Sequence, residues 1–508
     1  VSLSSTGIGL ALLRAFNAGL GLLLSIGLAV VFGVSRDTDA LFVAMAVGVF
    51  LGRDLARVVG TAAVPCLVEH DEGRGPSDFP AMFQTTALIL AVGSVALVWG
   101  AAPWIVGLTS PGFDAETARK AQRLLRLLAP SLLLFVLSGS AQAVFHAHRR
   151  FFAPEIGETV WRVLAIAALF SLGRHWGVDA YATGLTFAAF LQWSVLFVAA
   201  ARNGFQVLPL RWTPIRMRLL KPFWLCAIVV LCTVVQMQIE GILDRAVISF
   251  MKPGSIALHA YANRLALMLP LLLSTSLLTP WLPEIARLRT FASDMRQWAK
   301  RGALFMAGLG ALLAIIVVWA ARDAAEFILL RGRFDASSTE VVIMAGRAFA
   351  LGIPAIFCVQ CLAGLYVVDR DLRSMIRMSL VAVLAHAAGN LALRRWGVPG
   401  IALSGSLTIW IVAFYLWRRI QSREPVSFPW SRFFAALAVS TAMLYLIPWP
   451  LVLPWAPVRV VAGAIFAYVA YTAVMWPAIR RMQAHEREAT RPDATRRPER
   501  PHQDLPDP

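Results

Sequence analysis

Apolar residues in this chain come in long blocks rather than in alternating or amphipathic stripes. A helix crossing a bilayer needs about 20 mainly apolar residues, since each rises 1.5 Å through a hydrocarbon core about 30 Å thick. Blocks of that kind fall near 8–33, 40–67, 83–108, 124–146, 158–173, 179–201, 222–249, 261–285, 302–321, 341–368, 374–393, 399–417, 431–453 and 457–479. The pattern therefore predicts fourteen spanning helices, with 158–173 the shortest. No block alternates with period two, which argues against a β-barrel. The first block has no basic segment before it and is too long for a signal-peptide core, so it is expected to remain as a helix. Residues 484–508 mix prolines, acids and arginines and read as a disordered tail.

Composition agrees with a bilayer. Hydrophobic residues make up 58% of the 508 and charged ones 15%, with a mean hydropathy of +0.67. Such a chain has too little polar surface for a water-soluble body of its size. The net charge of +18 nonetheless calls for an account. An even number of spans puts both termini on one side. Loops on that side then carry about twice the Lys and Arg of the opposite loops, the bias expected of the cytoplasmic face. Most of the excess is thus topology and headgroup attraction, and nucleic acid is not needed as a partner. Two basic loops, 202–221 and 286–301, also interleave cations with apolar residues. They read either as helices lying on the cytoplasmic headgroups or as plain topology signals.

Six arginines stay inside or at the edge of apolar blocks: Arg14, Arg53, Arg57, Arg162, Arg264 and Arg347. An ionisable side chain at membrane depth is costly and usually faces a bundle interior or a wet cavity. Arg53 and Arg57 are four apart, on one helical face, where two guanidiniums could grip a phosphate or pyrophosphate. Pairing with Asp54, or snorkelling to the surface, is the alternative. Gln236, Gln238, Glu240 and Asp244 form a polar stripe late in the seventh span, where carboxylates could exchange protons or hold a cation. Arg162 follows Glu158 by four residues and reads as an intrahelical pair or a weaker cavity candidate, like Arg14. Prolines at 65, 130, 270, 280, 283 and 354 interrupt the spans, as in transporters whose helices bend.

The five cysteines all lie in apolar stretches, and Cys358 and Cys361 read as packing residues. No His/Cys cluster has metal-ligand spacing, and no catalytic triad or phosphate-cradling glycine loop occurs in the short loops. The chain is expected not to be an enzyme and to need no cofactor beyond a coupling cation or the membrane potential.

A series of motifs resembles one family. Asp39-Ala40-Leu41-Phe42-Val43-Ala44 after Phe32-Gly33 is similar to the TDAFFVA segment opening the second helix of the MurJ/MviN lipid II flippases of the MOP superfamily. Gln238 to Asp244, Ser249-Phe250, Pro253-Gly254-Ser255, Tyr261-Ala262-Asn263-Arg264-Leu265 and Pro270 resemble its QxNxxxD…ASFLPxGS…YADRLxxxP stretch. Arg331-Gly332-Arg333-Phe334 with Thr339, and Ala350 through Ala355, resemble its RGxFT…YALGLPA, and Asp371-Leu372-Arg373 and Asn390 follow in order. The matches span roughly 30–395.

The resemblance implies an all-α polytopic membrane protein of about fourteen helices. Two six-helix lobes, 1–201 and 222–420, would be joined by the amphipathic linker 202–221. Helices in 431–480 would line a groove for a lipid tail, and 484–508 would be a cytoplasmic tail. Its cargo would be lipid II, a polyprenyl-pyrophosphate-linked glycan, carried to the outer leaflet of the bacterial inner membrane by alternating access. Both termini would be cytoplasmic, and membrane lipids and cell-envelope synthesis proteins would be its partners. Taken with the charges within the spans, Arg53, Arg57, Arg264, Asp39 and Arg14 are the expected substrate-binding residues, Arg14 lying about a turn before the family's early arginine, and Glu240, Asp244 and Gln238 the expected ion-coupling ones. The chain departs from the family in its first helix, where an Arg-Asp pair and a further Arg are replaced by Leu24, Ser25 and Val30. The family's seventh-helix Asn is Glu240, and the Asp before Arg264 is Asn263. These changes favour a second reading, a flippase for another lipid-linked oligosaccharide such as an exopolysaccharide or capsule unit. A third, a MATE-like cation-coupled exporter, would predict twelve spans and an acid-rich cavity.

Overall fold

The computed structural model describes residues 5–72, 78–207, 217–287, 292–330, 334–368, 372–420, 429–453 and 455–489. Among these no strand occurs; the chain is a succession of helices. The first is α1 (Ser5–Phe32), followed by α2 (Arg36–Met45), which passes through a π-turn (Ala46–Leu51) into α3 (Gly52–Asp71). Next come α4 (Phe79–Gly100), α5 (Ala102–Thr109), α6 (Ala115–Ala147), α7 (Phe152–Ala168), a second π-turn (Leu169–Gly173) and α8 (Arg174–Arg202). Then follow α9 (Met217–Ile248), α10 (Ser255–Arg287), α11 (Ala292–Leu329), α12 (Ala336–Ala350), α13 (Ile353–Val368) and α14 (Leu372–Leu393). The last are α15 (Gly397–Arg419), α16 (Trp430–Leu446), α17 (Trp449–Val452) and α18 (Ala456–Ala489).

Ten helical stretches among the described residues are long and apolar enough to cross a membrane, and α16 is a shorter apolar helix. Two of the ten, Phe152–Arg202 and Arg373–Arg419, run to 51 and 47 residues. Each turns at a glycine in left-handed backbone, Gly177 (φ +80°) and Gly397 (φ +66°), and so contains two crossings. The continuous helix from α2 to α3 carries three charges, Arg53, Asp54 and Arg57, at mid-length in an otherwise apolar stretch. Counted this way, the described residues hold a helix for each of the fourteen predicted crossings.

Boundaries shift where a local residue decides them. The third block ends at Gly100 rather than 108, because Pro103 starts the separate short helix α5. The fifth begins earlier, at Phe152, and its π-turn carries it to Gly173. The thirteenth stops at Leu446, just before Pro448. Of the basic linker 202–221, residues 217–221 already belong to α9, and 208–216 lie outside the described residues. In the loop 286–301, α10 runs to Arg287, α11 starts at Ala292, and 288–291 lie outside the described residues. Arg331–Arg333 and Asp371 of the family-like motifs also lie outside them. Helix α18 continues to Ala489, so the expected tail is helical at its start; 490–508 lie outside the described residues.

The chain divides into two compact units, one of residues 1–272, 321–352 and 371–412 and the other of 273–320, 353–370 and 413–508. In the first, α3 lies along α6. Their approach is close because Gly139 presents no side chain: a Cβ there would stand 2.7 Å from the Cα of Ala56. Small residues allow such packing where no water drives helices together. An aromatic cluster of Phe79, Phe83, Phe145 and Phe223 fills the core nearby. Exposed Trp104, Trp176, Phe250 and Trp396 each follow an odd-numbered crossing, so they mark one membrane interface of this unit. In the second unit α16 packs on α18 around Leu312, Leu444, Tyr471 and Met475, and Trp319 meets Trp449 edge-on at 6.0 Å. Cys358 and Cys361 are buried free thiols within this unit.

Candidate anion-binding cavity and buried acid cluster

The π-turn ahead of Arg53 adds a residue to one turn of the helix and so sets the direction in which α3 presents its charges. Arg53 turns toward α6 and α7. Its guanidinium pairs with the Glu158 carboxylate and lies over the rings of Trp161, at 4.7 Å, and Phe135, at 5.6 Å. Gln192 of α8 donates to the other oxygen of Glu158 at 3.2 Å. Arg162, one turn along α7, approaches the same carboxylate at 3.8 Å.

Two cavities of the first unit meet at Arg53. One, of about 210 Å³, is lined by Arg53, Arg57, Gln142, His146, Glu158 and Gln192 among others. The other, of about 110 Å³, is lined by Arg53, Arg162, Arg264, Ser25, Phe50 and Tyr261 among others. Arg264 stands over the Phe50 ring at 5.2 Å, with no carboxylate within ion-pair distance among the described residues. Nη1 of Arg53 and Nε of Arg162 are buried and make no hydrogen bond there. Three guanidiniums thus line the smaller cavity, two of them beside the Glu158 carboxylate, and two of their buried nitrogens are unsatisfied. Such donors favour an anion that can accept several hydrogen bonds at once.

The sequence-predicted substrate residues separate into three places. Arg53 and Arg264 come together at the cavities. Arg57 lines the larger one but is 62% exposed, with its guanidinium 3.3 Å from Asp54. Arg14 lines neither; it is bound to Glu155 at 2.8 Å, on an exposed face. Asp39 also lies away from both, buried, where it accepts the backbone N–H groups of Gly254 at 2.6 Å and Ala257 at 2.8 Å. Those are otherwise unpaired donors at the start of α10. Nearby, Gly112 N–H donates to the Ser249 hydroxyl at 2.9 Å, and the Tyr261 hydroxyl to the Gly33 carbonyl at 3.3 Å.

The predicted ion-coupling residues also divide. Gln238 leaves the stripe and donates to Asp54 of α3 at 2.9 Å. Glu240 accepts from Gln236 at 3.1 Å, one turn back. Asp244 is the centre of a buried cluster: His386 Nε2 lies 2.7 Å from Oδ1, Asn390 donates to the same oxygen at 2.9 Å, and His259 stands 3.9 Å from Oδ2. Thr408 sits behind His386 at 3.3 Å. Among the described residues no group of three His, Cys, Asp or Glu side chains is arranged to hold a metal ion.

Sequence reasoning missed Gln192, His259 and His386 and read Glu158 only as a partner for Arg162. A lone His or Gln within an apolar block carries no local signal of a partner on another helix. The i,i+4 spacing of Glu158 and Arg162 was visible; that Glu158 turns to Arg53 was not.

Apolar helices in this number, with charged cavities among them, define a multi-pass helical membrane protein. The fold is similar to a solved lipid II flippase MurJ in an inward closed conformation, with a TM-score of 0.78 and 19% identity over 93% of this chain and 99% of that one. It also resembles an inward-facing multidrug resistance MATE transporter of the MOP superfamily, with a TM-score of 0.65 and 13% identity over 84% and 99% of the two chains. The family model described as lipid II flippase MurJ matches residues 28–475, and the chain belongs to that family. Relatives include a probable lipid II flippase MurJ of Rhizobium tropici, 28% identical over 72% of this chain and 70% of its own length. Another, from Haemophilus influenzae, is 25% identical over 84% and 90%. The lipid II flippase MurJ of Burkholderia cenocepacia is 24% identical over 81% and 83%. The family is one of transporters, and membership sets the MATE-like exporter reading aside.

Proposed function

We propose that this protein carries lipid II from the inner to the outer leaflet of the bacterial inner membrane by alternating access, with both termini in the cytoplasm. The observation that carries the reading is the meeting of Arg53, Arg162 and Arg264 at the smaller cavity, which shares Arg53 with the larger, with buried N–H groups left unpaired. A pyrophosphate headgroup crossing a bilayer needs a desolvated cationic path, since a buried charge without a partner is prohibitive. Guanidinium forks suit it, because each offers two parallel donors to phosphate oxygens. Arg57, at the wetter rim, meets the headgroup first. The apolar surface of α16 and α18, including exposed Phe434, Val461, Ile465 and Val469, serves the polyprenyl tail, which stays in lipid. Asp39, through Gly254 and Ala257, and Ser249, through Gly112, latch the side opposite the termini in the inward-open part of the cycle. The Asp244 cluster, with Glu240 close by, is the site at which a proton or cation, or the membrane potential acting on it, biases that cycle. Membrane lipids and cell-envelope synthesis proteins are the expected neighbours.

A second reading, a flippase for another lipid-linked oligosaccharide, is favoured by the uncharged first-helix positions Leu24 and Ser25, which line the smaller cavity. Complementation separates the two. Expression in a strain depleted of its own lipid II flippase is expected to restore growth and surface exposure of lipid II. Normal membrane levels with no rescue would refute lipid II as cargo and favour the other glycan.

A further inference from the structure

We infer that Arg162 of α7 supplies to the cavity the cation that its first helix lacks, and that Glu158 is a resident counter-anion which the incoming diphosphate displaces. The inference rests on the proposed transport of a lipid diphosphate. It concerns how this chain builds the anion site.

Helix α1 brings only Gly21, Leu24, Ser25 and Leu28 to the smaller cavity, none of them charged. Its one arginine, Arg14, is held by Glu155 and lines neither cavity. The guanidinium of Arg162 fills the gap from the neighbouring helix. It lies directly over Gly21, so that a Cβ at that position would meet its Nη1 at 2.5 Å. A glycine there leaves space for a guanidinium against the first helix, and any larger residue would displace it. The i,i+4 partner does not account for this placement. At 3.8 Å the contact with Glu158 is too long for a hydrogen bond, and Arg162 Nε is buried without a partner. The side chain is set for something else in the cavity that it shares with Arg53 and Arg264.

Glu158 occupies the point where an anion would be held. It takes the Arg53 guanidinium on one oxygen and the Gln192 amide on the other, while Arg162 stands by. Three cations against one carboxylate leave the site short of negative charge. A diphosphate brings two or more negative charges and many acceptors, so it can satisfy Arg53 Nη1 and Arg162 Nε where a single carboxylate does not. Once it binds, Arg53 exchanges Glu158 for phosphate, and Glu158 keeps Gln192. When cargo leaves, Glu158 re-pairs with Arg53, which spares the empty carrier an unneutralised buried cation cluster.

The test is binding of a polyprenyl diphosphate, with the uncharged polyprenol as control, to the purified full-length protein in lipid nanodiscs. Arg162→Gln is expected to weaken diphosphate binding by roughly tenfold, the loss of a charge-assisted contact, and to leave polyprenol binding unchanged. Adding Leu24→Arg to Arg162→Gln is expected to restore binding, since it moves the cation to the first helix facing the same cavity. Glu158→Gln is expected to tighten binding by removing the competitor. Gly21→Leu is expected to resemble Arg162→Gln. If the wild type does not prefer the diphosphate to polyprenol, the transport reading itself fails. If the wild type binds and Arg53→Ala and Arg264→Ala lose binding, while Arg162→Gln binds like wild type, only the present inference fails. Weakening by Arg162→Gln with no recovery in the Leu24→Arg double variant would equally overturn it, marking Arg162 as a packing residue.

Discussion

The carboxylate of Asp39 accepts the backbone N–H of Gly254 at 2.6 Å, and Gly254 holds a φ of +89° that presents this N–H to it. One residue on the second crossing thereby caps the helix that begins the eighth. Asp39→Ala is expected to leave two buried backbone N–H groups without their acceptor, at a cost of about 2–4 kcal/mol. It should lower the unfolding temperature in detergent and raise the labelling of a cysteine introduced beside this contact. Gly254→Ala should act similarly, since its Cβ would run into the Val34 side chain in a conformation that disfavours L-residues. Unchanged labelling in both variants would mean that this contact is not a latch.

Arg53 and Arg57 shared a helical face in the sequence and Arg14 was the weaker candidate; the structure separates all three. Arg53→Ala removes the partner of Glu158 and is expected to cut surface delivery of lipid II at least about tenfold. Arg57→Ala, on a mostly exposed side chain, is expected to cost a few-fold at most. Arg14→Ala is expected to keep near-normal transport. The check is surface-exposed lipid II in the depleted strain at matched protein levels, and equal loss in all three would contradict the assignment.

Asp244 and His386 lie 2.7 Å apart in a buried cluster and should behave as one unit. Asp244→Asn and His386→Gln are each expected to destabilise the protein, and the double variant by less than their sum. A coupling energy of about 1–3 kcal/mol is expected from a double-mutant cycle in thermal or denaturant unfolding. If the pair biases the transport cycle, either change should also flatten the dependence of flipping on pH or on a cation gradient. Full additivity together with an unaltered dependence would count against both roles.

Gly139 sets how closely α6 approaches α3, the helix that carries Arg53. Gly139→Val is expected to force the two apart and to destabilise by about 1–3 kcal/mol through overpacking. It should weaken polyprenyl diphosphate binding as well, because a shift of about an ångström at α3 misplaces Arg53. Wild-type stability and binding would show that the helices can separate without moving the site.

Much of this protein was legible in one dimension. Hydropathy marked the crossings, and the fifth block was read short only at its start, where Pro154, Glu155 and Glu158 interrupt the apolar run that the helix continues through. Arg53 and Arg264 could be picked out because a charge within an apolar block is conspicuous wherever it points. Arg162 was equally conspicuous, but its i,i+4 neighbour offered a sufficient local explanation. His386 and Gln192 had no local signal.

By itself the sequence determined that the chain is a multi-span helical membrane protein with a few intramembrane charges, since transfer into lipid depends on composition over one turn after another. Which charges meet was decided only by tertiary structure. The crossing of α3 over Gly139, the turn that rotates Arg53 toward α7, and the open face of Gly21 beneath Arg162 fix the cavity. The physical reason is that a side chain's partner depends on how its helix is rotated and how closely the next one packs. Residues some eighty to a hundred and forty positions apart settle both.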